Sequence, residues 1–284
     1  MNKKRQHTIP ECYLKAFVDP YTPADQEPYV WIMDRLTKTC KRKSIKKVFT
    51  ENNFYTVNLS SGKRNLIIED TLASIEDKYA RILRNTLLKK KRMTENEKAY
   101  FALFVSALWS RTISQKMHWE KQLEQLASVT ETIERHHGIE PKKSKEIREY
   151  IPESHKHRLI DTLELGANIL LTKSFSFLVA DGNSEFITSD DPVSFRNPVT
   201  SGTFWGAAPI DPRTDFLLPL TPRLAFFAVG GQDEGFIAIP NETVLTCNHR
   251  TAAFSCEYVI SSKKEPDFFD GKLFRDPRLE KKSK

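Results

Sequence analysis

Apolar and polar residues follow two different periods along the chain, and each period predicts a different kind of element. From residue 29 to 34, and again through the last third of the chain, short aromatic and β-branched runs bounded by Gly, Pro and Asp predict strands. Between residues 67 and 173, apolar residues recur every three or four positions, which predicts helices. We therefore expect an α+β protein with a small N-terminal antiparallel sheet, central long helices and a mainly antiparallel C-terminal sheet.

The pattern also gives approximate bounds for the elements of a single expected domain. The expected strands are residues 29–34, a polar edge strand ending at 48, and 54–57, 175–180, 185–188, 216–220, 224–229, 235–239 and 258–260. The expected helices are residues 7–17, 67–88, a long helix from 94, 153–173 and 241–253. These elements divide into a hairpin region (about 1–66), which includes a turn at residues 60–63, a helical region (67–173), a C-terminal sheet region (174–262) and a tail (263–284). We expect the last residues of the tail, 279–284, to fray.

The long helix from residue 94 contains an arginine on its apolar side. Residues 94–97, Thr-Glu-Asn-Glu, form the pattern of a capping box. The apolar stripe that follows runs directly into Arg111, and a guanidinium cannot be neutralised on burial, so it must meet a carboxylate, carbonyls or an anion. A structural ion pair with Glu69, Glu76 or Asp190 is one interpretation, and a phosphate-binding role is the other.

Beyond this arginine the chain becomes polar. We expect the helix to continue to residue 137 and to leave the core, with Met117, Leu123 and Leu126 as its remaining apolar contacts. The histidines on either side of Pro141 could bind a metal, but adjacent helical residues point about 100° apart. A solvated connection is the expected structure here.

Residues 186–195, Phe-Ile-Thr-Ser-Asp-Asp-Pro-Val-Ser-Phe, combine an apolar strand with two carboxylates at its end. Pro192 fixes the backbone after the acids and favours extended geometry at Asp191. A carboxylate at a rigid strand end suits chemistry, but Asp190 or Asp191 could equally accept backbone N–H groups and close the loop. The sequence leaves open which of the two acids lines a pocket.

The net charge of +7 is concentrated in the N-terminal third. Residues 1–92 carry 20 Lys and Arg against 10 Asp and Glu, whereas the rest carries 24 against 27. The basic residues cluster at 3–5, 38–47 and 89–92, and a nucleic-acid backbone would gain from such clusters because phosphate neutralisation releases counterions. The alternative is a solvated basic face without a ligand.

Several classes of protein are excluded. No run of about 18 apolar residues could span a bilayer, and the N-terminus leads into no secretory h-region, so we expect a cytoplasmic protein without a membrane partner. Phosphate-binding loops, dinucleotide fingerprints, zinc-protease and nucleophile-elbow motifs are absent. Four scattered cysteines suggest neither a zinc module nor disulfides.

Five separated motifs together resemble one known family. They are His7-x-x-Pro10-x-x-Tyr13-Leu14-x-x-Phe17, Glu51-Asn52-Asn53-Phe54-Tyr55, Ile75-Glu76, Arg111-Thr112 and Ile187-Thr188-Ser189-Asp190-x-Pro192, with a late segment from Cys247-Asn248-His249 to Tyr258-Val259-Ile260. The chain resembles the bacterial family called domain of unknown function 4238. The resemblance implies one domain but no established activity, and its motif positions are candidates only: His7, Tyr13, Glu51, Glu76, Arg111, Ser189 and Asp190. Asp191 stands where Asn would be common.

Two functions fit these residues. The first is a metal-dependent phosphodiester hydrolase, nuclease-like, with His7 as acid or base, Arg111 on a phosphate, and Asp190 with Glu76 or Glu51 holding Mg²⁺ or Mn²⁺. Its substrate would contact residues Lys41, Arg42, Lys43, Tyr13 and Ser189. The second is a non-catalytic module that binds nucleic acid or protein and contains a buried Arg/carboxylate network, with His7 as a hydrogen-bonded structural group. A role in host defence or as a toxin is compatible with both.

Overall fold

Helices and strands follow one another in nearly the order that the hydrophobic pattern predicts. The structure, a computed structural model, describes residues 5–58, 64–200 and 208–266. Within these residues it contains six α-helices and mainly antiparallel sheets, which confirms the predicted α+β class. The turn predicted at residues 60–63, the basic residues Lys3 and Lys4, and the end of the tail lie outside the described residues.

The bounds of the elements are as follows. The helices are α1 (Glu11–Leu14), α2 (Ile67–Ile82), α3 (Glu95–Ser110), α4 (Ile113–His136), α5 (Lys142–Leu171) and α6 (Asn241–Phe254), with a 3₁₀ turn at Lys15–Phe17 and a π turn at Leu83–Leu87. The strands are β1 (Arg5–His7), β2 (Tyr29–Asp34), β3 (Cys40–Ser44), β4 (Thr50–Asn52), β5 (Val57–Asn58), β6 (Arg64–Asn65), β7 (Ser174–Ala180), β8 (Thr188–Ser189), β9 (Ser194–Arg196), β10 (Asp215–Thr221), β11 (Leu224–Val229), β12 (Gly235–Ile239) and β13 (Tyr258–Ser261).

The N-terminal hairpin is part of a sheet that the end of the chain completes. Strands β2 and β3 pair antiparallel as predicted, and the basic strand β3 lies at the edge. The sheet order is β3-β2-β13-β8, so two strands from the second half of the chain complete this small antiparallel sheet. The strand β13 lies between β2 and β8 and pairs antiparallel with both. This arrangement holds the carboxylates that follow β8 beside the last described strand.

The strand predicted at residues 54–57 is wrong over most of its length, because only its last residue belongs to a strand, β5. Phe54 and Tyr55 are buried in an apolar cluster that includes Leu72 of α2 and Leu159 of α5. The backbone N–H of Tyr55 donates to the side-chain oxygen of Gln6 at 2.6 Å, so a side chain takes the place of a strand partner. The aromatic residues here pack between helices. Such residues are equally common in strands, so the sequence pattern alone cannot distinguish the two environments.

The second sheet has the order β12-β7-β11-β10-β9 and is antiparallel except for β12, which runs parallel to β7. The mainly antiparallel C-terminal sheet is therefore confirmed. The segment predicted as one of its strands, residues 185–188, does not join it, because β8 pairs with β13 in the other sheet. Helix α3 packs against this second sheet through Phe101, whose ring lies 4.9 Å from that of Phe226.

The long helix predicted from residue 94 is divided into two helices. Its start is as predicted: the Thr94 hydroxyl accepts the Glu97 N–H at 3.2 Å, and the Glu97 carboxylate accepts the Thr94 N–H at 2.9 Å. The helix ends at Ser110, because Thr112 adopts an extended backbone and caps α4, with its hydroxyl accepting the Gln115 N–H at 3.3 Å. The break turns the chain immediately after Arg111.

The connection expected around Pro141 is mostly helix. Helix α5 starts at Lys142, continues through Pro152 and runs to Leu171. It is packed against α4, since the Glu134 carboxylate accepts the Ser144 hydroxyl at 2.6 Å and the Lys143 N–H at 2.8 Å. These tertiary contacts stabilise a helix that the proline weakens. No helix in the described part of the chain is long and apolar enough to cross a membrane.

Candidate functional site

The two acids that follow β8 have opposite surroundings, beginning with Asp190. Its carboxylate accepts the backbone N–H groups of Cys256 at 2.9 Å, Glu257 at 2.7 Å and Tyr258 at 3.0 Å. The pKa of Asp190 is raised by burial, and the three hydrogen bonds offset only part of this increase. Both oxygens are used to hold the turn before β13, which corresponds to the loop-closing interpretation.

Asp191, in the bend that follows β8, has a different set of partners. Its carboxyl group is buried and accepts the Thr112 hydroxyl at 3.4 Å, with a further hydrogen bond from the Ser114 hydroxyl. Burial raises the pKa of Asp191 to about 7, and the neighbouring charge of Asp190 acts in the same direction. The protonation of Asp191 therefore changes near neutral pH.

Asp191 lines a cavity of about 730 Å³. The walls come from the end of α3, the first half of α4, the second half of α5, the segment around β9 and the end of α6. Four aromatic side chains supply much of the apolar surface: Trp109, Trp119, Phe195 and Phe254. A cavity of this size with a few polar groups among aromatic walls is typical of a small-molecule or nucleotide site.

The ionisable groups around this cavity, other than Asp191, are basic residue types. Lys116, His118, His155 and Arg158 all line it. Lys116 lies 3.8 Å from a Glu120 oxygen, so part of its charge is compensated. The guanidinium of Arg158 lies 3.6 Å from the centre of a tryptophan ring and forms no ion pair within the described part of the chain. The site is therefore suited to an anion.

Three polar atoms in the cavity walls lack hydrogen-bond partners among the described residues: Trp109 Nε1, Trp119 Nε1 and His155 Nδ1. His155 Nε2 lies 3.0 Å from the carbonyl oxygen of Phe54. Because a carbonyl only accepts, Nε2 carries the proton, and Nδ1 of the neutral ring is an unused acceptor. Burial lowers the pKa of His155 and favours this neutral form.

A second polar cluster lies near the N-terminus. Arg111 Nη1 lies 2.7 Å from a Glu76 oxygen, so the predicted ion pair is confirmed with Glu76 as the partner. Arg111 is only 3% exposed, whereas the Glu76 side chain is 27% exposed. The remaining guanidinium nitrogens, Nε and Nη2, have no hydrogen-bond partner among the described residues. The same cluster includes His7, whose Nε2 lies 3.2 Å from the Ile45 carbonyl and whose pKa is lowered by burial.

Two further candidates lie inside the fold. The Tyr13 hydroxyl is buried, donates to the Pro219 carbonyl at 2.6 Å and lies 2.6 Å from the Thr188 hydroxyl. Ser189 is fully buried, and its hydroxyl accepts the Asp191 N–H at 3.2 Å. Both side chains support β8, the strand that the two acids follow. Neither lines the cavity.

The basic residues of β3 are exposed but do not form one surface. The Arg42 guanidinium lies 5.2 Å from the ring centre of Tyr29 and 5.9 Å from that of Trp31, across the hairpin. Lys41 and Lys43 alternate with it along the strand and therefore point to the other face.

The predicted metal ligands do not assemble. Glu51 is an exposed residue of β4, Glu76 is paired with Arg111, and both Asp190 oxygens bind backbone. Among residues 5–58, 64–200 and 208–266, no three His, Cys, Asp or Glu side chains are grouped so that they could hold a metal ion. A bound Mg²⁺ or Mn²⁺ stays a prediction for the assay below.

The family model described as a protein of unknown function, DUF4238, matches residues 5–265. The chain belongs to this family. The match confirms the resemblance inferred from the five motifs and contains both the cavity and the N-terminal cluster of this DUF4238 protein. No curated protein and no solved structure matches the chain.

Sequence reasoning did not identify most of the cavity. Trp119 lies on a segment that was expected to leave the core, whereas His155 and Arg158 lie in the predicted helix 153–173 but were not proposed as site residues. The signal was present: residues 155, 158, 162, 165 and 169 recur every three or four positions and so share one face of that helix. The prediction considered only the apolar stripe of this helix and not its polar residues.

Proposed function

We propose that this DUF4238 protein cleaves phosphodiester bonds by general acid–base catalysis in the cavity lined by Asp191. One observation carries the proposal: a single cavity contains a buried carboxyl group, an imidazole nitrogen without a partner and two cationic side chains. Phosphodiester cleavage needs a base, an acid and positive charge near the phosphate. These residue types supply all three.

The two titratable groups divide the roles by their surroundings. His155 Nδ1 removes a proton from the attacking water or hydroxyl group as its oxygen forms a bond to phosphorus. Asp191 donates its proton to the leaving oxygen as the other P–O bond breaks. At neutral pH the imidazole is in its neutral form, and a carboxyl group with a pKa of about 7 is protonated in part of the molecules. Two titratable groups whose surroundings shift their pKa values in opposite directions are typical of acid–base sites.

The remaining walls suit a nucleic-acid fragment. Arg158 and Lys116 offset the charge of a phosphate, and the aromatic side chains of the walls, such as Trp109 and Phe254, offer surface against which a base can stack. The excess of basic residues in the N-terminal third supports attraction to the backbone of a longer strand. The proposed substrate is therefore a single-stranded nucleic acid or its end.

The test measures cutting of labelled single-stranded and duplex RNA and DNA, with EDTA and separately with Mg²⁺ or Mn²⁺. We expect cutting of a single strand in EDTA, and a decrease in kcat of roughly 100-fold or more in Asp191→Asn. The matched control is Asp161→Asn, an exposed acid on α5. Full cutting by Asp191→Asn, or no cutting of any substrate by the wild type, would overturn the proposal.

A specific observation favours the alternative of a non-catalytic module that binds nucleic acid or protein. Arg111 with Glu76, and Asp190 with the turn before β13, form buried or enclosed polar networks inside the fold. In the same assay, salt-sensitive binding of the oligonucleotides without cutting would support this function in place of catalysis. Metal-dependent cutting that is lost in Asp190→Ala would return the assignment to the residues predicted from the motifs.

A further inference from the structure

Strand β12 is an edge strand whose outer side pairs with no described strand. It lies at one end of the five-stranded sheet, where β7 is its neighbour. Unpaired edges expose backbone N–H and C=O groups, and proteins usually protect them with charged residues, short strands or covering segments. The five residues of β12 are Gly-Phe-Ile-Ala-Ile, none of which is charged, and Ile237 is 44% exposed.

The other outer strands of the two larger sheets are protected in these ways. Strand β3 carries three consecutive cations, Lys41, Arg42 and Lys43. Strand β8 has only two residues, and β9 has only three. Among the described strands that end these two sheets, β12 is therefore the one that combines length with a lack of charge. An edge of this kind is open to pairing with a further strand.

The hydrogen bonds to the β7 side determine which backbone groups of β12 point outward. The Asp181 N–H, directly after β7, donates to the Ile239 carbonyl at 2.9 Å, so Ile239 bonds to that side. In a parallel pair, alternate residues bond to the neighbouring strand and the residues between them point away. Phe236 and Ala238 therefore direct their N–H and C=O groups to the free side, where an added strand can bind them.

A groove of about 690 Å³ lies along the start of β12. Phe177 of β7 and Phe236 of β12 both line it, and they are partners in the strand register. Their rings are stacked with centres 5.1 Å apart. Side chains of paired residues on neighbouring strands lie on the same face of a sheet. A residue that paired with Phe236 from the free side would therefore continue this aromatic row and place its side chain in the groove.

One wall of the groove is basic. It is formed by residues 90–92, Lys-Lys-Arg, which make no ion pair within the described part of the chain. Lys98 also lines the groove, but it is already paired with Glu234. Glu95 and Asp233 line it as well, so the groove contains four cations and three acids. Since the Lys98 pair is neutral, the free positive charge is that of the basic wall.

We propose that β12 binds an extended, acidic peptide segment of another protein as an added strand. The outward N–H and C=O groups need a partner with a peptide backbone, which neither a nucleic acid nor a lipid offers. The groove accepts a large apolar side chain beside Phe236, and the basic wall favours carboxylates in the neighbouring residues. The groove shares no lining residue with the cavity that contains Asp191, so the inference does not depend on the proposed function.

A second copy of the chain fits this edge less well. About a twofold axis, two β12 strands would pair antiparallel. The acids that precede β12, Asp233 and Glu234, would then lie beside Ile239 of the other copy, at the opposite end of the strand from the basic wall. Both basic walls would stay without carboxylates, whereas a separate peptide can supply them.

The first test uses the full chain and the fluorescein-labelled peptide Glu-Glu-Val-Thr-Phe-Thr-Val-Glu-Glu, whose alternation places the apolar side chains on one face. Fluorescence anisotropy should show saturable binding, with a Kd roughly tenfold higher when Lys replaces each Glu. Two further peptides carry N-methyl groups on alternate amides, one on the Val and Phe residues and one on the Thr residues. Because only alternate residues of an added strand face β12, one of these peptides should lose binding and the other should keep it.

The second test changes the protein. Ala238→Pro removes an outward N–H but no bond to β7, so the chain should fold while Kd rises roughly tenfold or more. Ala238→Thr keeps the N–H and is the matched control, which should bind as the wild type does. Lys91→Glu should also raise Kd roughly tenfold, whereas Lys89→Glu, two residues away and outside the groove lining, should leave it nearly unchanged.

Several outcomes would overturn the proposal. They are a wild type that shows no saturable binding, equal binding of the two methylated peptides, binding that survives Ala238→Pro, and equal losses in Lys89→Glu and Lys91→Glu. Two more outcomes would assign a different occupant. A dimer of the chain alone that Ala238→Pro dissociates in sedimentation equilibrium would assign the edge to a second copy. Displacement of the peptide by a single-stranded oligonucleotide would assign the groove to nucleic acid.

Discussion

The N-terminal cluster and the cavity both contain ionisable groups, but they use them differently. In the cluster, Arg111 has its counterion Glu76, and it does not line the cavity that contains Asp191. In that cavity, Asp191 and His155 both belong to the walls, and Nδ1 of His155 has no hydrogen-bond partner among the described residues. The difference teaches that a buried polar group indicates a site only where unused capacity and access occur together. Groups of the first kind should affect stability alone, whereas groups of the second kind should also affect ligand binding and chemistry.

The largest expected effect on stability is the pH dependence caused by Asp191. Its pKa rises from the ordinary 3.8 to about 7 on folding, so the unfolded chain binds fewer protons and stability falls as the pH rises from 4 to 7. Asp191→Asn should remove this loss, which is on the order of 4 kcal/mol above pH 7. Urea unfolding at pH 4 and pH 8 measures it. An equal pH dependence in variant and wild type would contradict the raised pKa.

The next effect breaks the N-terminal cluster. Glu76→Ala leaves the buried Arg111 charge unpaired and should cost about 3 kcal/mol in the free energy of unfolding. Arg111→Met should cost less, because the carboxylate that remains is partly exposed to water. Chemical denaturation of both variants tests this order. Equal costs for the two variants would contradict the account of the buried charge. Weaker oligonucleotide binding by either variant, at a temperature where it remains folded, would mean that the cluster contributes to ligand binding as the cavity does.

Asp190→Ala tests the turn before β13. Three backbone N–H groups lose a charged acceptor, but the turn lies near the surface and water replaces part of the loss, so we expect a cost of about 2 kcal/mol. Thermal unfolding measures this cost. Oligonucleotide binding by the folded variant should match the wild type, and weaker binding would mean that Asp190 contributes to the site.

The smallest expected effect concerns binding alone. Arg158→Ala removes a cation that forms no ion pair within the described residues, so folding should change little while affinity for a short labelled oligonucleotide falls roughly tenfold, about 1.4 kcal/mol. Fluorescence anisotropy at low salt measures the affinity. Arg135→Ala, an exposed arginine near the end of α4 with a partner on its own helix, is the matched control. Equal losses in the two variants would indicate a general charge effect rather than this site.

Local patterns in the sequence were sufficient for some of these features. The hairpin of β2 and β3 and the capping box at Thr94 depend on residues close in the chain, and both form as predicted. The burial of Arg111 followed from its position on a helical stripe, and burial required a counterion. Choosing Glu76 from three candidate acids required the fold.

The features that could not be predicted depend on partners distant in the chain. β8 pairs with β13 about 70 residues later, and Phe54 is covered by α5 about 100 residues later. The cavity has the same origin, because its walls join α4, α5 and the segment after β8. Asp191, and not Asp190, lines this cavity. The direction of each side chain decides which acid does so, and the sequence Asp-Asp-Pro does not determine that direction.

The most direct test of the cavity as the functional site is ¹³C NMR of the aspartate carboxyl groups, with the Asp191 signal assigned from its absence in Asp191→Asn. We predict a titration midpoint near pH 7 and a shift of this signal when a short single-stranded oligonucleotide is added. A midpoint near pH 4 that the oligonucleotide leaves unchanged would contradict both the buried acid and its place in the site.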